Sequence, residues 1–321
     1  MSKLKRQSQG QSVNSVIEWR EAEQAGFSFF ARIHRFFRRL LGVKSNRSVA
    51  GDLINILVLS ILGFFMVMPM VYSISNAFKP LDELFLYPPR FLVRNPTFDN
   101  FRDLGTLMSN SWVPMSRYIF NTVFITIVGT ALHVILASMA AYVLEKHDFY
   151  GAKPFFSLVT FALLFNGTVT AIPSFIIMSQ LHLVNTHAAL ILPAVGSTLG
   201  LFLMKQFMGS VHDTILEAAK IDGAGELSLF FRMVMPMVKP AWLTLIIFAA
   251  QGLWNSTGGT LIRSEELKPL AFALGQITSG GIARAGAGAA VSVVLMIVPI
   301  SVFIFTQTNI LDTMGSSGIK E

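Results

Sequence analysis

The stretch 211-VHDTILEAAKIDGAGELSLFFRMVMPMVKPA-241 is a charged, helix-prone insert between two long apolar runs, and the rest of the chain is organised on either side of it. Asp213 stands where its carboxylate can cap a short helix by accepting the free N–H groups of the following turn. Thr214 to Ile221 then offers Ile215, Leu216, Ala218 and Ala219 as an apolar face. Asp222-Gly223 stops that helix. Gly223 and Gly225 can take positive φ without the strain a Cβ would bring, so a helix, a sharp bend and a second apolar helix follow in order. Local physics alone fits a helical hairpin lying on a membrane surface equally well.

Working outward, 53% of the 321 residues are hydrophobic and only 13% charged. With a mean hydropathy of +0.58, this is the composition of a membrane protein. The charges are segregated: none falls between Asp52 and Lys79, Arg117 and Glu145, Lys153 and Lys205, Lys239 and Arg263, or Arg284 and Asp312. A hydrocarbon core of roughly 30 Å takes about 20 apolar residues as helix, so four gaps each fit one span and the long third gap fits two. The expected fold is an all-α integral membrane protein with six transmembrane helices, at about 53–75, 118–144, 155–181, 185–204, 240–262 and 289–309. The charged insert 211–240 joins the fourth to the fifth.

Residues 1–50 form a separate basic extension, and 51–312 the membrane domain, with a short tail over 313–321. Within the extension Phe29, Ile33, Phe36, Phe37, Leu40 and Leu41 recur at helical spacing between arginines, which reads as an amphipathic helix over 27–41, lying on lipid or on a partner subunit. The net charge of +7 is concentrated in this extension, as in a cytoplasmic segment facing anionic lipid, and no base-stacking or groove-reading motif accompanies it. Nucleic acid is therefore not an expected partner. The chain has no Cys, so disulfides and thiolate metal sites are excluded.

Few polar groups interrupt the spans. Asn166-Gly167-Thr168 and Pro173 break the third, and such breaks survive in lipid where other groups satisfy the freed carbonyls, commonly along a water-filled path. Asn166, Thr168 and Thr170 are thus pathway-lining residues or part of a kink that serves packing. In the fifth span Gln251 and Asn255 share a face beside Trp254; amides and an indole suit sugar hydroxyls, and equally suit interhelical contacts. His133 in the second span reads as a packing residue. The loop 278-TSGGIARAGAGAA-290 lacks the Lys-Ser/Thr of a phosphate loop, and no Gly-Lys dipeptide occurs anywhere, so ATP would have to be bound by another polypeptide. No HExxH helix, nucleophile elbow or acid cluster points to an enzyme.

Glu217-Ala218-Ala219, Asp222-Gly223-Ala224, Pro236 and Lys239-Pro240, in register between two hydrophobic runs, resemble the EAA loop of the permease subunits of maltose-type carbohydrate ABC importers. The KP…PP…PT…NF order of 79–101, the 116-SRYIFNT-122 segment, Ala140-Ala141-Tyr142, and Phe149 with Gly151 resemble the same family, from about residue 53 onward. The resemblance implies the type I ABC importer permease fold, with 211–240 as a cytoplasmic coupling loop. Glu217, Ala218, Ala219, Asp222, Gly223, Ala224 and Pro236 would be its ATPase-coupling residues. It further implies a second homologous permease, two ATPase subunits that hold ATP and Mg, and an extracytoplasmic sugar-binding protein, with no cofactor on this chain. Residence would be in the bacterial cell membrane with both termini cytoplasmic. The family often places an acidic or bulky residue after Trp-Asn, where this chain has Ser256-Thr257-Gly258-Gly259, so the sugar is unassigned. An ion-coupled secondary carrier and a non-transporting scaffold are the alternatives. The first would need intramembrane charge, which the spans lack, and neither needs a docking helix of this register.

Overall fold

The computed structural model describes residues 49–165 and 167–317. The amphipathic helix expected over 27–41, the pathway residue Asn166 and the end of the tail lie outside the described residues. Among those described every regular element is helical. They fall into two compact units that divide after Met68. The described part of the first is the start of α1 (Val49–Ala77), whose residues from Leu53 to Val67 are all exposed. The second holds everything from Pro69 onward.

In that second unit the Pro-broken segment after α1 is closed on itself rather than open. Two short helices, α2 (Leu81–Leu84) and α3 (Asp99–Ser109), flank it. Buried Glu83 accepts the backbone N–H of Arg94 at 3.0 Å, and buried Lys79 donates to the Asn76 side-chain oxygen at 2.7 Å and the Arg90 carbonyl at 2.5 Å. Each charge is thereby satisfied by polar groups, the condition for burying one.

The central element is α4 (Met115–Lys146), 32 residues and about 48 Å long at 1.5 Å per residue. One side of it is a buried stripe of small and polar residues, including Gly129, His133, Ala137 and Ala141, which lets other helices come close. Against it pack α7 (Ala188–Val195) with α8 (Thr198–Met208), and α11 (Lys239–Trp254). The approach of α8 requires a glycine: a Cβ on Gly200 would lie 2.3 Å from the His133 Nε2. His133 itself is buried, with Nδ1 donating to the Val195 carbonyl at 3.0 Å, which makes it a packing residue as its sequence setting suggests.

Two of the expected spans are bent pairs of helices. The expected third consists of α5 (Ala152–Ala162) and α6 (Gly167–Gln180), whose axes differ by 115°, and the turn begins at Leu163 while Pro173 sits inside α6 without ending it. The other pair is α10 (Glu226–Met237) and α11, bent by 82°. Pro236 and Pro240 account for both irregularities there. Each ring crowds the carbonyl four residues earlier and supplies no N–H, so the helix widens into a π turn over Leu229–Val234 and then breaks at Val238. Among the described residues four helices are long and apolar enough to cross a membrane, and six spans result if each bent pair is one. α11 ends at Trp254, and Asn255 to Ile262, expected to complete the fifth span, run on as loop before α12 (Leu270–Thr278) and the long α13 (Ala285–Ser317).

Candidate functional site

The insert that opens the sequence folds as α9 (Asp213–Ile221), a turn, and α10. Its turn follows from backbone chemistry. Gly223 stands at φ +83°, its N–H donating to the Lys220 carbonyl at 3.0 Å, while the Ala224 N–H donates to the Ala219 carbonyl at 2.9 Å. This pair of bonds closes a helix through a left-handed residue. Gly225, expected to share that role, is instead extended at φ −73°, where any residue would fit. The N-terminus also departs from expectation. His212 precedes the helix and Asp213 is its first residue, with no side-chain cap bond, because the Asp213 carboxylate is taken by the Lys146 ammonium at 2.7 Å. In the first turn that carboxylate still complements the helix dipole.

Beneath α9 and α10 lies a brace from the end of α4. Lys146, whose side chain is 6% exposed, also donates to the Val211 carbonyl. Glu226 collects three partners: the Lys220 ammonium at 2.7 Å, the Tyr142 hydroxyl donating at 3.0 Å, and the His147 ring at 3.6 Å. The bond from Lys220 and that from Tyr142 hold the Glu226 carboxyl below its ordinary range, and the Lys146 bond does the same for Asp213. Leu216, Leu229, Phe230 and Val234 complete the seat, buried against Ala137, Ala141, Tyr142 and Met208. Lys205 pairs with Glu145 beside it.

The opposite face of the loop is free. Glu217, Ala218, Asp222 and Gly223 are exposed there, whereas Ala219 and Ala224 are half-buried against the seat, and Pro236 is exposed beyond the π turn. Around them stand Ile221 at 87% exposure, Leu227 at 67% and Phe231 at 51%. Of the expected coupling residues, Glu217, Ala218, Asp222 and Gly223 lie exposed, while Ala219 and Ala224 help pack the loop on its seat. Missed in the sequence were Lys146, His147 and Lys220 with Glu226 as the brace; Tyr142 and Glu226 are 84 residues apart, and only folding pairs them.

The expected pathway residues divide. Trp254 is buried, its indole N–H donating to the Leu295 carbonyl at 3.2 Å, and it lines an apolar cavity of about 630 Å³ between α4, α11 and α13. Gln251 and Asn255 are exposed instead, with the Asn255 amide donating to the Gln251 carbonyl at 3.0 Å. On α6, Thr168 and Thr170 are exposed, and Thr170 donates to the Gly167 carbonyl at 3.1 Å. The same cavity holds Thr126 and Thr130, whose buried hydroxyls have no hydrogen-bond partner among the described residues.

At the far end of α4 a second polar cluster explains the 116-SRYIFNT-122 segment. Asn121 donates to the carbonyls of Glu266 and Lys268 at 2.8 and 3.1 Å, Thr122 accepts the Leu270 N–H at 2.7 Å, and the Tyr118 hydroxyl donates to Glu265 at 2.8 Å. The loop between the fifth and sixth spans is thus fastened to α4.

No family model matches the chain. Among curated proteins it is 32% identical over 200 residues to the polygalacturonan/rhamnogalacturonan transport system permease protein YtcP of Bacillus subtilis, covering 59% of this chain and 64% of that one. To the arabinooligosaccharides transport system permease protein AraQ of Halalkalibacterium halodurans it is 30% identical over 273 residues, 81% of this chain and 93% of the relative. The fold is similar to that in the crystal structure of a bacterial ABC transporter involved in the import of the acidic polysaccharide alginate. The TM-score is 0.67 at 23% identity, over 83% of this chain and 99% of that one. A helical membrane fold shared with an ABC importer, and a relative matched at 30% over nearly its whole length, place the sequence: the chain belongs to the family of permease subunits of carbohydrate ABC transport systems.

Proposed function

We propose that this chain is one of two homologous permease subunits of an ATP-driven importer of oligosaccharides, set in the bacterial cell membrane with both termini cytoplasmic. An extracytoplasmic binding protein delivers the sugar, and two ATPase subunits bind ATP and Mg. Relatives whose names specify arabinooligosaccharides and polygalacturonan support the substrate class. The observation that carries the mechanism is the exposed face of the loop 211–240, where Ala218, Ile221, Leu227 and Phe231 stand open on a seat held by Lys146 and Glu226. Exposed apolar side chains clustered at one end of a membrane helix bundle mark a protein contact.

In this reading α9 is the coupling helix. Glu217 makes a polar contact to the ATPase, Ala218 and Ala219 allow close docking, Asp222, Gly223 and Ala224 form the turn, and Pro236 sets the widened helix that leads into the fifth span. Closure of the ATPase dimer displaces α9, and the brace passes that displacement to α4, switching access between the two sides of the membrane. Along the pathway Gln251 and Asn255 offer amides to sugar hydroxyls, Thr168 and Thr170 with Asn166 add polar groups on the third span, and Trp254 supports the fifth from behind.

The test is uptake by proteoliposomes carrying the assembled importer, with ATP inside. Ala218→Arg and Gly223→Pro should insert and assemble normally while ATP hydrolysis no longer drives uptake. Wild-type uptake by both variants would refute the coupling role.

A further inference from the structure

The segment that follows α1 turns back along the span it has just left. Phe91 packs on Tyr72 with ring centroids 5.5 Å apart, and Tyr72 lies in the uncharged part of α1, about 7–8 Å before its end at Ala77 by helical rise. Two buried charges hold this return. The Lys79 ammonium donates to the Arg90 carbonyl and stands 5.0 Å from the centre of the Tyr72 ring, while Glu83 accepts the backbone N–H groups of Arg94 and Asn95. A segment so pinned has a fixed depth beside the helix.

What the pinned segment exposes is apolar. Phe85 is 55% exposed, Tyr87 94% and Leu92 63%. Arg90 and Arg94 are exposed beside them. Pro88 and Pro89 have no N–H, so the tip brings fewer unpaired donors into an apolar setting than another sequence would. Exposed aromatic rings and guanidinium groups, in a segment whose Phe91 is held against the last turns of an uncharged span, match the boundary between acyl chains and lipid phosphates.

We propose that the 84–94 loop is a lipid-interface anchor, with Phe85, Tyr87 and Leu92 in the acyl boundary and Arg90 and Arg94 on the phosphates of the same leaflet. The anchor fixes the end of α1 relative to the bilayer whatever solute the chain moves. It stands apart from the transport reading, and a failure of either leaves the other intact.

Because the chain has no Cys, Tyr87→Cys makes a single labelling site, and the side chain it replaces is almost wholly exposed. The full chain is placed in nanodiscs of phosphatidylcholine with phosphatidylglycerol and labelled at position 87 with an environment-sensitive fluorophore. A lipid carrying a nitroxide on a shallow acyl carbon should quench the label about twofold or more, and aqueous iodide much less. Leu92→Cys should report the same depth, which keeps the test decisive if the first variant misfolds. Arg90→Gln with Arg94→Gln should weaken the nitroxide quenching. A label open to iodide and indifferent to the nitroxide would overturn the proposal. So would one shielded only when a partner permease or binding protein is added.

Discussion

Lys146 carries two bonds with one buried ammonium, to the Asp213 carboxylate and to the Val211 carbonyl, where a shorter or neutral side chain would reach neither. Lys146→Met should lower stability by about 1–3 kcal/mol through the orphaned Val211 carbonyl, seen as an earlier unfolding midpoint in detergent. It should also release α9, seen as faster amide exchange over 213–221. Asp213 and Glu226 make the same seat dependent on pH in a defined direction. Both carboxyls are held below their ordinary values, so their contribution is present above those values and disappears as pH falls through the depressed ones. Exchange protection of the 213–228 segment should therefore persist from neutral pH to about 5 and decline only near or below about 4. Decline between pH 7 and 5 would contradict the assignment of the seat to these two carboxylates.

Helix packing sets the next scale. A Cβ on Gly200 meets the His133 ring and Leu245, neither of which has room to withdraw from a buried seam, whereas one on Gly129 meets only the tip of the Leu253 side chain. Gly200→Ala should cost about 1–3 kcal/mol and Gly129→Ala less, compared by thermal unfolding of the two variants in one detergent. α4 also serves as a common post: Tyr142 and Lys146 hold the 211–240 loop at one end, and Asn121 and Thr122 hold the loop before α12 at the other. Asn121→Ala should raise amide exchange over 255–269 and leave 213–221 unchanged. At this scale the sequence is a good guide where local chemistry decides. Charge gaps locate the four long apolar helices, and Gly223 with Asp222 locates the turn. It fails where partners are distant: the π turn and the break after it need two prolines read together, Trp254 turns inward because Leu295 offers a carbonyl, and α11 ends before the charge gap does. Asp213 looks like a cap in isolation and becomes half of an ion pair once Lys146 is beside it.

In the second unit an apolar helical body carries an exposed and braced loop over 211–240, between the long uncharged runs 154–204 and 240–262. In the proposed function the energy comes from another subunit, and such a surface needs to be stiff so that a push on α9 reaches α4 rather than being absorbed. The account stands on what touches that surface. With the assembled importer in a lipid bilayer, a cross-linker attached through Ala218→Cys should join this chain to the nucleotide-hydrolysing subunit, and the yield should change when ATP binds. Cross-linking to no such subunit, or reaction of the same position with a reagent confined to the outer face, would contradict it.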